Sequence, residues 1–251
     1  MMMRIVALTL FLFSSPICAA IGFGYIRAPY GMSRAQVAVA NSYLFSAGMI
    51  LLYALPFLQR SSKKALTMRN RVHSATMEWI VWLSVFTEIA FQIPHNLFPS
   101  LLEAHKGSLA EWPFYAYGLS DERWSNYNGG TGLDFDVWLI NANDAILGLI
   151  VLAALVLQGG SGRTPSPFLV IATLFRDATL WRETVEYMSM HHRSGYALTT
   201  RDPQLRGHAI ACLWLVNGIW LVAPLITAAW AYDCMQQSHG EIRATETKKR
   251  L

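Results

Sequence analysis

Five stretches near 36–58, 75–97, 135–157, 166–189 and 208–231 are apolar over about 20 residues, the length a helix needs to span hydrocarbon. No other feature constrains the fold as much. Backbone in lipid must satisfy its own hydrogen bonds, and for runs of this length a helix is the way to do so. Only 14% of the residues are charged and 53% are hydrophobic, too few charges to clothe a soluble domain of 251 residues. The expected fold is therefore all-α: a polytopic membrane helical bundle with five core transmembrane helices. A sixth run, "IVALTLFLFSSPICAAIGFGYI" after Arg4, fits an extra N-terminal helix, the preferred reading, or a cleavable signal peptide ending at the small residues Cys18 to Ala20.

Charge between the runs sets the orientation. Residues 59–74 hold Arg60, Lys63, Lys64, Arg69 and Arg71 without an acid, which places this loop in the cytosol. The 98–134 loop is then lumenal, and its aromatic residues, Trp112, Phe114, Tyr115, Tyr117, Trp124 and Tyr127, suit a cap at the interface. The tail returns to the cytosol. There Lys248 and Lys249 stand fourth and third from the end, the spacing of a dilysine retrieval signal for the endoplasmic reticulum. "QGGSGRTPSP" (158–167) reads as a short connector between antiparallel helices. The segment boundaries expected are 1–30 for the N-terminal hydrophobic segment, 31–235 for the membrane domain and 236–251 for the tail. The net charge of +4 lies mostly in cytosolic segments and suits anionic lipid headgroups, not nucleic acid. Cys18, Cys212 and Cys234 lie in or beside apolar helices, so no disulfide framework is expected.

Polar residues inside the runs carry the functional information. Ser84, Glu88, Gln92 and His95 recur at steps of four and three, one stripe on an apolar helix. Trp138, Asn141 and Asp144 recur every three residues in the next run. The fourth holds Asp177, Trp181, Glu183, Glu186 and Tyr187, and the fifth Asn217 and Trp220. Ionisable groups at membrane depth cost at least a few kcal/mol unless paired or wet, so these residues are expected to face one interior pocket. Plain structural roles compete with this. Asn217 could be an interhelical strut, the tryptophans packing or belt residues, and Glu183 and Glu186 partners of Arg182. Glu88 is harder to dismiss, being mid-run with no basic residue one turn away on its own helix. His191 and His192 point apart on a helix and have no third ligand spaced to join them, so neither a metal nor a cofactor is expected.

"NGIWLVAP" (217–224) resembles the last-helix signature of the emopamil-binding protein family, the EXPERA domain. "YMSMHHRSGY" (187–196), "YGLSDERW" (117–124) and "SVFTE" (84–88) are similar to other segments of that family, and the likeness covers roughly residues 36–235. The resemblance implies a five-helix bundle whose cavity binds a sterol or another hydrophobic isoprenoid. In such a cavity an acid protonates an alkene, aromatic and polar groups hold the carbocation, and another carbon loses a proton. A desolvated carboxyl group can keep its proton near neutrality, and an indole face stabilises a cation. Glu88, Asp144, Asn217 and Trp220 are the expected catalytic residues, and Ser84, Trp138, Asn141, Trp181, Glu183 and Tyr187 the expected substrate-binding ones. The chain departs from the family's sterol isomerases at Ser84, where they have His, and at Asn141, where they have Glu; Asp144 offers a replacement carboxylate on the same face. Sterol double-bond isomerisation and terpenoid cyclisation are thus both expected chemistries. A non-catalytic sterol or amphiphile receptor or trafficking factor is the alternative, and membrane lipid and a second copy of the chain, as a homodimer, are the other partners considered.

Overall fold

The computed structural model describes residues 2–58, 67–97, 111–124, 135–160 and 164–250, with side chains at all of these except 83–86, 135–136 and 238–250. The chain is helical at each of the six apolar runs. Helices α1 (Met2–Gly22) and α2 (Arg34–Leu58) are followed by α3 (Met68–Trp82), which passes through a π-helical segment, Leu83–Gln92, into α4 (Ile93–Leu97). A short α5 (Trp112–Gly118) precedes α6 (Phe135–Leu157), α7 (Pro167–Arg193) and α8 (Arg206–Arg250). Met2–Gly22, Arg34–Leu58, Val137–Leu157 and Arg206–Gln237 are long and apolar enough to cross a membrane. The helices over 75–97 and 166–189 are as long but carry the buried charges Glu88, Arg176, Asp177 and Glu183, which lowers their hydropathy.

Local sequence explains where these helices start and stop. Ser33 and Gln36 form a capping box at the start of α2, Gln36 N–H donating to Ser33 Oγ (3.3 Å) and Ser33 N–H to Gln36 Oε1 (2.8 Å). Ser166 caps α7 by accepting from Leu169 N–H at 3.2 Å, with Pro167 at the first helical position. At the far end of α7 Tyr196 N–H reaches His191 O and Gly195 N–H reaches His192 O, a Schellman stop with Gly195 at φ +61°. The connector after α6 begins the same way at Gly159. Ser166 N–H then donates to Gln158 Oε1 (2.9 Å) and closes the hairpin expected there. The apolar span of the last helix ends at Gln237. Helix α8 runs on through Arg250, since 236–250 is rich in helix formers and has no proline.

The N-terminal run is built into the bundle. Ala7, Phe11, Cys18 and Ala19 are buried, and Arg4 pairs with Glu78 at 2.6 Å. Helices α1 and α2 approach so closely at Gly48 that a Cβ there would lie 2.5 Å from Phe11 N and 3.0 Å from Ala7 O. Small residues permit such backbone approach within membranes. Helices α3, α7 and α8 then share the central core, with Trp79, Leu180, Ile219 and Trp220 packed together. Of the aromatic residues expected in the cap, Tyr127 lies outside the described residues, and Tyr115 and Tyr117 are half-buried. Trp112, Phe114 and Trp124 are buried, and Trp112 occupies the space beside Gly22.

The Gly48 contact is with backbone, which cannot rotate away. Gly48→Val is expected to separate α1 from α2 and to cost about 1–3 kcal/mol, the usual scale of overpacking. Thermal unfolding in detergent checks this; an unchanged midpoint would mean that α1 is not held there.

Candidate functional site

One cavity of about 300 Å³ is lined by α1, α2, α6, α7 and α8, the π-helical segment and the cap. That volume is at the lower end of the range of small-molecule sites. Its apolar wall comes from Phe11, Leu12, Phe45, Leu180 and Val216, and Trp220 closes one side. Pro113, Ala116, Tyr117 and Trp124 of the cap close one end. Three carboxyl groups from three elements face it: Glu88 from the π segment, Asp144 from α6 and Glu183 from α7.

Each carboxyl group has a different environment. Glu88 is buried, with Oε1 3.8 Å from Arg176 Nη1 of α7, and its carboxyl group occupies the space a side chain at Gly148 would need. Its cation therefore comes from across the bundle, which spacing along its own helix could not reveal. Arg176, fully buried, also binds its neighbour Asp177 at 2.8 Å, and Asp177 Oδ2 accepts from Trp79 Nε1 at 3.1 Å. Asp144 Oδ2 accepts from Gln92 Nε2 (3.1 Å), while Asn143 Nδ2 donates to Glu183 Oε1 (2.8 Å). Asp144 and Glu183 both line the cavity, each with one carboxyl oxygen held by an amide N–H. Trp220 lies against Trp79, ring centroids 5.0 Å apart, so its indole adjoins the Arg176 cluster.

A second network joins the cap to α7 and α8. Asn217 Nδ2 donates to Leu213 O (2.7 Å) and to Tyr117 Oη (3.0 Å), and the Tyr117 ring packs edge-on against Trp124, whose Nε1 donates to Tyr187 Oη (3.3 Å). Tyr187 Oη donates to Asp121 Oδ2 (2.6 Å), which Arg123 (2.6 Å) and His191 (3.0 Å) also approach. Burial alone would raise the Asp121 pKa. The hydrogen bonds from His191 and Arg123, the Arg123 charge and the Tyr187 hydroxyl outweigh it and hold the carboxyl well below the usual carboxylate range. Burial pushes the Tyr117 phenol up to about 12, so it stays neutral, its oxygen accepting from Asn217.

Of the expected residues, Glu88, Asp144, Asn217, Trp220, Glu183 and Tyr187 meet at the cavity. The side chain of Ser84 lies outside the described ones. Asn141 is buried but outside the lining, donating Nδ2 to His95 Nδ1 at 3.2 Å. Trp138 and Trp181 do not line the cavity and are 38% and 42% exposed on the outer surface. A step of three residues falls 60° short of a full turn, so Trp138 has drifted about 120° from Asp144. Trp181 stands one residue from the inward row Leu180, Glu183, Thr184 and Tyr187. Arg182 pairs with both expected acids, Glu186 at the surface (3.7 Å) and Glu183 (3.9 Å), of which Glu183 is buried and lines the cavity. Asp121, Tyr117, Trp124 and Arg176 were not among the expected site residues. The first three lie in or next to the "YGLSDERW" stretch, which was the signal for them.

The place of Glu88 against Gly148 is directly testable. Gly148→Ala is expected to displace the carboxyl group and destabilise the protein by about 1–3 kcal/mol. Much of that loss should vanish in the background Glu88→Ala, giving strong non-additivity in a double-mutant cycle of thermal unfolding. Additive effects would put Glu88 elsewhere. Compared with known proteins, the chain matches no family model, no curated protein and no solved structure.

Proposed function

We propose that the chain is an endoplasmic reticulum membrane enzyme that acts on a sterol or another isoprenoid, isomerising a double bond or cyclising a terpenoid. The observation that best supports this reading is the convergence of Glu88, Asp144 and Glu183 with the Trp220 indole on one otherwise apolar cavity. A proton carried by Asp144 or Glu183 passes to an alkene carbon or epoxide oxygen. The alkene π electrons form the new C–H bond, or the epoxide C–O bond breaks, and a neighbouring carbon becomes positive. Trp220 and the Glu88 carboxylate face that charge, within walls that exclude water. In the isomerisation a C–H bond on another carbon supplies the electrons of the new double bond, and its proton returns to a carboxylate. In a cyclisation a second alkene attacks the cation before that proton leaves. Neither course consumes a co-reactant, in keeping with the absence of any expected cofactor.

The resemblance to the emopamil-binding proteins supports the same chemistry, and the departures from it have a counterpart in the cavity. Asn141 turns to His95, while Asp144, one turn on, lines the cavity in its stead. Incubating the purified chain with candidate sterols and linear isoprenoids should give a product of unchanged mass. Asp144→Asn, Glu183→Gln and Glu88→Gln should each lower turnover by at least about 100-fold, the scale of an acid–base contribution. Tight binding without any such product would favour a sterol or amphiphile receptor, and full activity in the variants would remove the carboxyl groups from the chemistry.

The address is proposed from the tail. Changing Lys248 and Lys249 to Ser should move the protein from the endoplasmic reticulum to later compartments, read by microscopy and glycan processing of a reporter fusion. Unchanged residence would reduce the tail to a solvated basic run.

A further inference from the structure

Three side-chain amides of the described residues line the cavity, and two of them are engaged within the protein. Gln92 Nε2 donates to Asp144 Oδ2, and Asn217 Nδ2 donates to Leu213 O and Tyr117 Oη. Asn41 of α2 differs from both. It is 4% exposed, its Oδ1 is buried without a donor, and its amide bonds no other described residue. Its neighbours fix its place on the wall. Ser42 and Phe45 of the same helix also line the cavity, and Ala38, a turn earlier, packs with Trp112 and Ala116 of the cap. Helix α1 adds a second polar group there. Phe11 stacks on Phe45, and Cys18 and Ala19 pack with Val37 and Ala38, so the antiparallel pairing sets Ser15 level with Asn41. Ser15 lines the cavity too, whereas the Ser42 hydroxyl is turned to Ala38 O at 3.2 Å.

A buried amide without a partner costs stability, because folding strips it of water and gives no bond in return. An interhelical strut would have to bond a neighbouring helix, and Asn41 bonds none among the described residues. Its setting relative to the carboxyl groups suggests another role. Helix α2 packs on α1, α3, α5 and α8, whereas α6, which carries Asp144, packs on α7 with Glu183 and on the π segment with Glu88. The cavity is lined from both of these groups of helices. We infer that Asn41 is a binding residue that takes the hydroxyl of an isoprenoid alcohol on the α1–α2 wall, leaving the ligand's apolar body to extend toward the carboxyl groups. A hydroxyl supplies the donor that the Asn41 oxygen lacks, and a hydrocarbon has none to give. The class of ligand rests on the proposed function. What Asn41 adds is an orientation: the hydroxyl end lies at α2, and the unsaturated part of the ligand meets Asp144 and Glu183.

The test compares the full chain with Asn41→Leu, both purified in lipid nanodiscs. Cholesterol and farnesol are each measured against the hydrocarbon that lacks the hydroxyl, and the readout is the ratio of the two affinities. Comparing that ratio between the two proteins cancels the different partitioning of alcohol and hydrocarbon into lipid. For at least one alcohol the ratio should fall roughly tenfold in Asn41→Leu, the worth of one net hydrogen bond, with the hydrocarbon's affinity unchanged. The thermal midpoint of the ligand-free variant should be unchanged or higher, because an unpartnered polar group has been replaced by an apolar one of similar size. An unchanged ratio for both alcohols would overturn the inference and leave the proposed function standing. A lowered midpoint, or a variant that does not fold, would make Asn41 a structural residue and overturn it as well. Binding of neither alcohol by the native chain would remove the hydroxyl site altogether. An alcohol preference that depends on Asn41, with no product formed from any isoprenoid, would sink the proposed enzyme and keep the site.

Discussion

Everything else in this bundle depends on how one guanidinium is accommodated. Arg176 is fully buried at the centre of α7, in a chain whose other interior surface is mostly hydrocarbon. Left alone there it would cost several kcal/mol, and removing one partner from a buried pair typically costs 3–5 kcal/mol. Its partners come from two directions: Asp177 beside it on α7 and Glu88 from the π-helical segment. Holding Glu88 in reach requires that segment to lie against α6 at a residue without a side chain, and Gly148 supplies the space. The charge cluster thus fixes the mutual placement of three elements that carry the cavity's carboxyl groups.

The π-helical stretch belongs to the same solution. Its i→i+5 pattern, seen where Ile93 N–H meets Glu88 O, widens the helix over the residues that face the cavity. π segments recur at functional sites because they aim side chains that a regular helix would bury in a neighbour. Here Thr87, Glu88, Phe91 and Gln92 all line the cavity, a broader arc than a straight α-helix gives to one face. The widened turn also has a packing consequence. His95, expected on the same stripe, instead turns to Asn141 and stacks near Phe114 of the cap at 5.1 Å.

Periodicity and length made the helices legible in the sequence, because a run of 20 apolar residues has one stable form in lipid and the caps at Ser33, Ser166 and Gly195 have fixed chemistry. They also made most of the site legible, since charge at membrane depth has few places to go. What spacing could not supply was rotation. Trp138 shares a three-residue rhythm with Asp144, yet each step loses 60°, and the indole ends on the lipid side. Nor could spacing supply partners from other helices. Glu88 has no cation one turn away on its own helix and finds one on α7. Asp121 reads as one acid in a charged loop until the fold brings Tyr187 and His191, more than sixty residues later, onto the same oxygen.

These two polar clusters meet at α8, which explains why a spanning helix there carries an amide, an indole and a proline within eight residues. Asn217 donates to Tyr117, which packs on Trp124, whose indole N–H meets Tyr187 beside Asp121, so the cap cluster reaches its side chain. Trp220 lies one turn further into the membrane against Trp79, whose indole N–H is held by Asp177, so the Arg176 cluster ends at its ring. Pro224 has no N–H to offer the Trp220 carbonyl four residues back, and Tyr53 donates to the neighbouring Ala223 O at 3.3 Å. The helix backbone is thereby tied to α2 where its own ladder is interrupted. Leucines at these positions would fill the same space and span the same hydrocarbon, but they would leave both networks without an end in the cavity. The cost of placing polar groups in this helix is offset because each one closes a set of bonds begun on another element, and the cavity lies between those two ends.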